Sequence, residues 1–243
     1  MSYRRAEIQF FPPLTRMVKL ILIVTGAIFL LTYLPERFLG FYAPYALFGL
    51  TPYAVTHDLA LWQPVTYLFL HAGWLHIIFN LFAVWMFGPD LELKWGGRKF
   101  LIYFFLTGIG AGLFGVLLQP SSPVMTIGNS GAVYGLLLAY GVLFPDRPVF
   151  LWFLIPIKAK WFVAIFGAIE FWLSLTQPGS GVSHVAHLGG MLVGFLYLRA
   201  QGYGFSLDVR GRYGDWRRAR LRRKFEVYMR KREGKDDQGR WIN

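Results

Sequence analysis

Six apolar stretches separated by short polar joints set the pattern of the chain. They run at about 20–34, 75–89, 100–118, 130–144, 161–175 and 187–198. Between Lys99 and Asp146 no charged residue occurs at all. That span exceeds the roughly 20 residues that cross a bilayer once, so it predicts two crossings. Gln119, Pro120, Ser121, Ser122 and Pro123 divide it, because two prolines around a serine pair mark a turn. Several stretches are near 15 residues, against the usual span of roughly 17–25, which predicts snorkelling flanks, local bilayer thinning or a water-filled indentation. The pattern predicts an all-α membrane protein, a bundle of six transmembrane helices.

Composition points the same way. The 243 residues are 55% hydrophobic and 16% charged, with a mean hydropathy of +0.43. A soluble domain carries about 25% charged residues. The deficit excludes disorder, a collagen-like repeat and a nucleic-acid module with its basic face on a small soluble core. There are 0 cysteines, so neither a disulfide framework nor a thiolate metal site exists.

The net charge of +12 supplies orientation. With six crossings both termini share a side, and 24 of the 25 Lys/Arg then fall on that side, leaving Arg37 alone opposite. Cytoplasmic loops carry such an excess, so both termini are expected in the cytoplasm. The first stretch follows Arg16 and Lys19 and resembles a secretory signal. No small-residue cleavage site follows it, and it reads as a retained anchor. The expected organisation is a cytoplasmic segment at 1–19, a six-helix core at 20–198 and a basic cytoplasmic tail at 199–243. The tail interleaves Trp216, Leu221, Phe225 and Tyr228 with cations. It is expected on the anionic inner leaflet, each basic residue contributing about 1 kcal/mol, rather than on nucleic acid.

Polar residues at apolar depth need a partner or a function. His71, His76 and Asn80 lead into the second stretch, Gly128, Asn129, Ser130 and Gly131 open the fourth, and His184, His187 and Gly190 open the sixth. All three stretches begin on the non-cytoplasmic side, which puts these clusters at one level. A serine hydroxyl becomes a good nucleophile when a base takes its proton, and neutral imidazole suits that near pH 7. Ser130 enters a helix, where unpaired N–H groups and the dipole favour an oxyanion. Asn80, four residues after His76, shares its helix face, so both can aim donors at one point. No Asp is suitably placed, and the base is expected to work as a Ser–His dyad. Gly131 with Gly135 and Gly190 with Gly194 form two GxxxG pairs that allow the fourth and sixth helices to approach closely.

At these residues the chain resembles the rhomboid intramembrane serine proteases. His71, His76 and Asn80 match an HxxxxHxxxN pattern; Gly128 to Gly131 match GxSG; His187 and Gly190 match a histidine followed by xxG. Trp62 and Gln63 in the long first loop, and Phe87, Gly88, Leu91, Glu92 and Gly96 after the second stretch, extend the likeness. The resemblance implies Ser130 as nucleophile and His187 as general base. It implies an oxyanion hole of His76, Asn80 and the Ser130 N–H, and Tyr134 stacked on the histidine. Gly128, Gly131 and His71 are expected to support the site, without cofactor or metal. It also implies single-pass transmembrane proteins as substrates and a first loop, about 35–74, laid partly in the outer leaflet. Many members carry Trp-Arg where this chain has Trp62 and Gln63, so a loop-to-helix Arg–Glu contact is expected to be absent or replaced.

Other readings compete. His71, His76, His184 and His187 could bind zinc, but HExxH is missing and catalytic zinc usually takes three protein ligands, often including a carboxylate. Glu170 lies ten positions past Lys160, about 15 Å into the fifth helix. It is read either as facing a water-filled cavity or hydrogen-bonded while protonated, or, with Phe171 and Trp172, as a gate for substrate entry. The function classes are an intramembrane endopeptidase, a non-catalytic rhomboid-like client-binding protein, and a small transporter, for which no inverted repeat is visible. A bacterial inner membrane, with the site opening to the non-cytoplasmic side, is the expected location.

Overall fold

The structure, a computed structural model, describes residues 12–151, 155–177, 183–204 and 220–222. The chain divides into two compact units, Met1–Gly204 and Phe205–Asn243. Of the second, only a helical turn at 220–222 is described; Trp216, Phe225 and Tyr228, on which the tail reading rests, lie outside the described residues.

The first unit is mostly helical. Six long helices occupy the six apolar stretches: α1 (Arg16–Leu39), then, after three short helices, α5 (Trp74–Trp95), α6 (Gly97–Leu118), α7 (Ser130–Leu143), α8 (Ala159–Thr176) and α9 (His184–Ala200). Four of them, α1, α5, α6 and α8, are long and apolar enough to cross a membrane. α7 has 14 residues and α9 has 17.

Helix ends differ from the apolar limits for local reasons. α1 begins at Arg16 because Glu92 of α5 takes up its first amides: the carboxylate accepts from the N–H of Met17 at 3.0 Å and of Val18 at 3.0 Å, and from the Thr15 hydroxyl. A helix N-terminus leaves four such N–H groups without internal partners, and a carboxylate there also meets the positive end of the dipole. α5 runs through Pro89 to Trp95, and the chain turns at Gly96, whose φ of +80° favours glycine. α9 begins at His184, which puts both His184 and His187 in its first turn.

The first loop is not structureless. It folds into α2 (Ala43–Phe48), α3 (Pro52–His57), α4 (Gln63–Thr66) and a 3₁₀ turn (Tyr67–Phe69). Prolines at the starts of α2, α3 and α4 explain these short helices, since the missing N–H costs nothing in a first turn. The loop docks on α6 where glycines leave room: Leu68 lies over Gly108, and Leu50 and Tyr67 over Gly112. Tyr67 donates its hydroxyl to the Gly108 carbonyl at 2.6 Å. Gln63 stands in for the expected Arg–Glu contact in a different way. Buried, it accepts from the Thr51 N–H at 2.9 Å and so pins the loop to itself, while Glu92 serves α1.

The joint between α7 and α8, read from the sequence only as a charged loop, forms an antiparallel hairpin of β1 (Pro148–Leu151) and β2 (Ile155–Lys158), with Val149 opposite Ile157. Its base is held by ion pairs of Arg147 with Asp90 and of Lys158 and Lys160 with Asp146.

α7 is the central helix. Ten of its 14 residues are buried, and it packs on α5, α6, α8 and α9. In lipid, helices associate through close packing rather than expulsion of water, so small residues decide where they touch. A Cβ on Gly190 would sit 2.1 Å from the Gly131 carbonyl oxygen, so α7 and α9 meet backbone to backbone there. The second glycine of each GxxxG pair turns elsewhere: Gly135 packs on Thr107 and Gly194 on Tyr103, both of α6. One helix thus clamps the other two.

Candidate active site

The Gly131–Gly190 contact brings the first turns of α7 and α9 together. Ser130 opens α7, and His187 lies in the first turn of α9 with its Nε2 2.8 Å from Ser130 Oγ. Tyr134, one turn after Ser130, lies flat against the imidazole: ring centroids are 4.4 Å apart and the planes 17° off parallel. The i, i+4 spacing on α7 puts Ser130 and the stacking ring on one helix face.

The N-terminal end of α5 meets the chain just before α7. Gly128 has φ +106°, a conformation side chains rarely adopt, and a Cβ there would sit 2.7 Å from His76 Nε2. The His76 ring therefore rests on the turn that presents Ser130. Its Nδ1 accepts from the Ala72 N–H at a long 3.4 Å. Asn80 is buried, with its amide donating to the His76 carbonyl at 2.9 Å within its own helix. His71 is fully buried edge-on to His76, ring centroids 4.8 Å apart, and Tyr45 of the first loop donates to its carbonyl at 3.0 Å. Burial first, and then the adjacent His76 ring, hold the His71 imidazole down at about 4. It is neutral at pH 7 and supports the loop rather than carrying charge. The three polar clusters do converge in space.

Of the two sequence readings of Glu170, the hydrogen-bonded one is the nearer to what the structure shows. It is buried, and its carboxylate faces His187, not the periphery: Oε2 lies 2.9 Å from His187 Nδ1 and 2.7 Å from His184 Nδ1. The Tyr134 hydroxyl donates to Oε1. A carboxylate thus lies within reach of His187, where the sequence led to the expectation of a histidine without one. His184, which the sequence leaves without a task, is part of the same cluster. Phe171 and Trp172 are 58% and 65% exposed, on a different face of α8 from Glu170. Depth arithmetic already contained this signal. Glu170 precedes the end of α8 by six residues, roughly 9 Å at 1.5 Å per residue, which puts it in the half of α8 nearer the start of α9.

Glu170, His184 and His187 place one oxygen and two nitrogens within 4.8 Å of one another. Among the described residues this is the only such cluster, and its three atoms are engaged with one another through hydrogen bonds. The four-histidine set considered from the sequence is not assembled as one: His71 and His76 pair at α5, and His184 and His187 at Glu170.

Comparison with known proteins agrees with the geometry. The Rhomboid domain model matches residues 58–203. The chain is 32% identical over 168 residues to the chloroplastic rhomboid-like protein 11 of Arabidopsis thaliana, covering 60% of this chain and 55% of that one. It is 33% identical over 138 residues to rhomboid-like protease 3 of Toxoplasma gondii (55% and 49%), and 28% identical over 135 residues to the mitochondrial rhomboid protein 1 of Saccharomyces cerevisiae (53% and 38%). The matched region thus spans about half the length of these relatives or less. With four helices able to cross a membrane, and with a domain model that covers more than half of its residues, this chain is a multi-pass membrane protein that belongs to the rhomboid family.

Proposed function

We propose that the protein is an intramembrane serine endopeptidase that hydrolyses peptide bonds in or near transmembrane segments of single-pass membrane proteins. The observation that carries this reading is the 2.8 Å approach of His187 Nε2 to Ser130 Oγ at the first turns of two clamped helices. In this reading all six long helices cross the membrane, both termini are cytoplasmic, and the site opens to the other side. The skewed distribution of basic residues supports that orientation.

The chemistry follows from the positions. Ser130 Oγ attacks the scissile carbonyl carbon while its proton passes to His187 Nε2. The carbonyl π pair moves onto oxygen, and the oxyanion faces donors from the Ser130 N–H, unpaired inside the first turn of α7, and from His76 and Asn80. Asn80 turns its amide from the His76 carbonyl to do so; catalytic hydrogen bonds commonly tighten only with substrate in place. As the C–N bond breaks, His187 returns the proton to the leaving amine. Water, activated by the same nitrogen, then releases the acyl group. Tyr134 keeps the imidazole in plane throughout.

The test is cleavage of a transmembrane reporter in proteoliposomes together with labelling by a fluorophosphonate probe. Ser130→Ala is expected to abolish both while the protein still folds and inserts. Cleavage that survives in Ser130→Ala sinks the mechanism. A parent protein that binds the reporter but neither cleaves it nor labels is the non-catalytic client binder instead.

A further inference from the structure

We infer that Glu170 is the positioning carboxylate of the base, so that the site operates as a Ser130–His187–Glu170 triad in which Tyr134 and His184 hold the carboxylate in place. The inference rests on the proposed proteolytic reading and goes beyond the dyad that the sequence suggests.

The argument starts from tautomers. An imidazole with one proton donates from one nitrogen and accepts at the other, and its partners decide which. Oε2 of Glu170, 2.9 Å from Nδ1, has no proton to offer as a carboxylate, so Nδ1 carries the hydrogen and Nε2 is left with its lone pair toward Ser130. Had Nδ1 faced a donor, Nε2 would carry the hydrogen and could not take the serine proton. The carboxylate also lies beside the ring on which positive charge appears when that proton arrives. The proton from Ser130 Oγ goes to Nε2, the Nδ1 hydrogen stays on His187, and Glu170 gains nothing.

The carboxylate itself is held from three sides. His184 Nδ1 at 2.7 Å and His187 Nδ1 at 2.9 Å share Oε2, and the Tyr134 hydroxyl takes Oε1. A buried carboxylate without such donors is expensive, and removal of one partner of a buried pair costs more than the pair contributes. Three donors aimed at one group, with a fourth partner in Ser130 beyond the ring, form a chain whose every member has one geometry. Tyr134 serves twice, stacking on the ring and bonding to its carboxylate, which fixes both the tilt and the in-plane rotation of the imidazole. The titratable groups that face His187 are Ser130 and Tyr134 from α7, Glu170 from α8, His184 from its own helix and His76 from α5. Glu170 is the only carboxylate in this set.

The experiment uses the full chain in proteoliposomes, with kcat and KM for the transmembrane reporter measured across pH for the parent, Glu170→Gln, Glu170→Asp and Ser130→Ala. A glutamine offers one acceptor and one donor where three donors converge, so Glu170→Gln is expected to lower kcat about 10²–10⁴-fold with KM within about threefold. Its acid limb of activity is expected to move to lower pH, because an imidazole next to a lost negative charge protonates less readily. A residue that only packs the helix would move stability and leave that limb in place. Glu170→Asp keeps the charge one methylene further back, and is expected to recover part of kcat and to keep the parent limb. Wild-type kcat and an unmoved limb in Glu170→Gln, with Ser130→Ala inactive, overturn the triad and leave the dyad standing. An active Ser130→Ala overturns the proteolytic reading itself. Should Glu170→Gln fail to fold, Glu170→Asp decides: unchanged kcat in that variant overturns the inference.

Discussion

The Gly131–Gly190 contact makes a single methyl group a sharp probe of the site. In Gly190→Ala the new Cβ would lie 2.1 Å from the Gly131 carbonyl oxygen, whereas real Cβ atoms essentially never come within 3.0 Å of another heavy atom. The neighbour is backbone, held in α7 by its helical hydrogen bonds, and cannot swing aside. The two helices must therefore part by about 1 Å, since packed interiors transmit such strain rather than absorb it. Overpacking of this kind costs about 1–3 kcal/mol. The larger effect falls on the chemistry. His187 is three residues before Gly190 and Ser130 one before Gly131, so the separation carries over to their hydrogen bond. At 2.8 Å that bond is sound; stretched to about 3.8 Å it no longer exists. Misplacement of reacting groups by about 1 Å costs on the order of 10²-fold in rate. Thermal unfolding and fluorophosphonate labelling of the purified protein test this, with Gly115→Ala as control. A Cβ on Gly115 meets nothing within 4 Å, and alanine is the better helix former by about 1 kcal/mol, so the control should label at the parent rate and unfold no earlier. If Gly190→Ala labels and unfolds like the parent, the helix contact is not what sets the Ser–His geometry.

Two further perturbations separate scaffold from site. Glu92→Ala removes the acceptor of Thr15, Met17 and Val18 and should lower stability by about 1.5–3 kcal/mol in thermal unfolding, while labelling of Ser130 below the transition stays at the parent rate. Loss of labelling in the folded variant would contradict the assignment of Glu92 to α1 alone. At the hairpin, hydrogen bonds from Lys160 and then Lys158 hold the Asp146 carboxyl down at about 2. Because the folded value lies below the unfolded one, its stabilising effect is present above the usual carboxylate range and is lost as pH falls toward 2. A carbon-detected NMR titration should give a midpoint near 2 in the parent and nearer the usual carboxylate value in Lys160→Ala; a parent midpoint near 4 refutes the pairing.

The helices were legible because in a bilayer every backbone group must be satisfied within its own segment, so an apolar run of the right length leaves little choice. Ser130, His187, His76 and Asn80 stand out in the sequence for a related reason: they are polar where polarity is costly, and the charge asymmetry predicts one level for them. What stayed hidden depends on contacts between segments. The extension of α1 to Arg16 rests on a single carboxylate, Glu92, that reaches from α5 to the end of α1. The first loop reads as irregular because its helices are one turn or little more, too short for periodicity to register, and its order comes from Tyr67 and Leu68 seated in the glycine grooves of α6. The hairpin at 148–158 was missed because four-residue strands flanked by lysine and arginine look like any charged loop.

Glu170 carries two readings in the sequence: a carboxyl group facing a cavity or hydrogen-bonded, or a gate residue together with its neighbours Phe171 and Trp172. Consecutive residues on a helix are about 100° apart, however, and the structure divides them: Glu170 turns inward to His187 and His184, while the two aromatic rings face outward. The division constrains any entry route past α8. Glu170 is fixed to α9 by two hydrogen bonds and to α7 by a third, so an outward movement of α8 that admitted a substrate helix would draw the carboxylate away from Nδ1. In that position Nε2 is no longer held as the acceptor for the Ser130 hydroxyl. On the proposed proteolytic reading, a substrate admitted past α8 is therefore cleaved only after α8 has closed again. On that reading the outward-facing Phe171 and Trp172 are where bulk acts on entry alone, whereas a change at Glu170 acts on the chemical step and also loosens the hold of α8 on its neighbours.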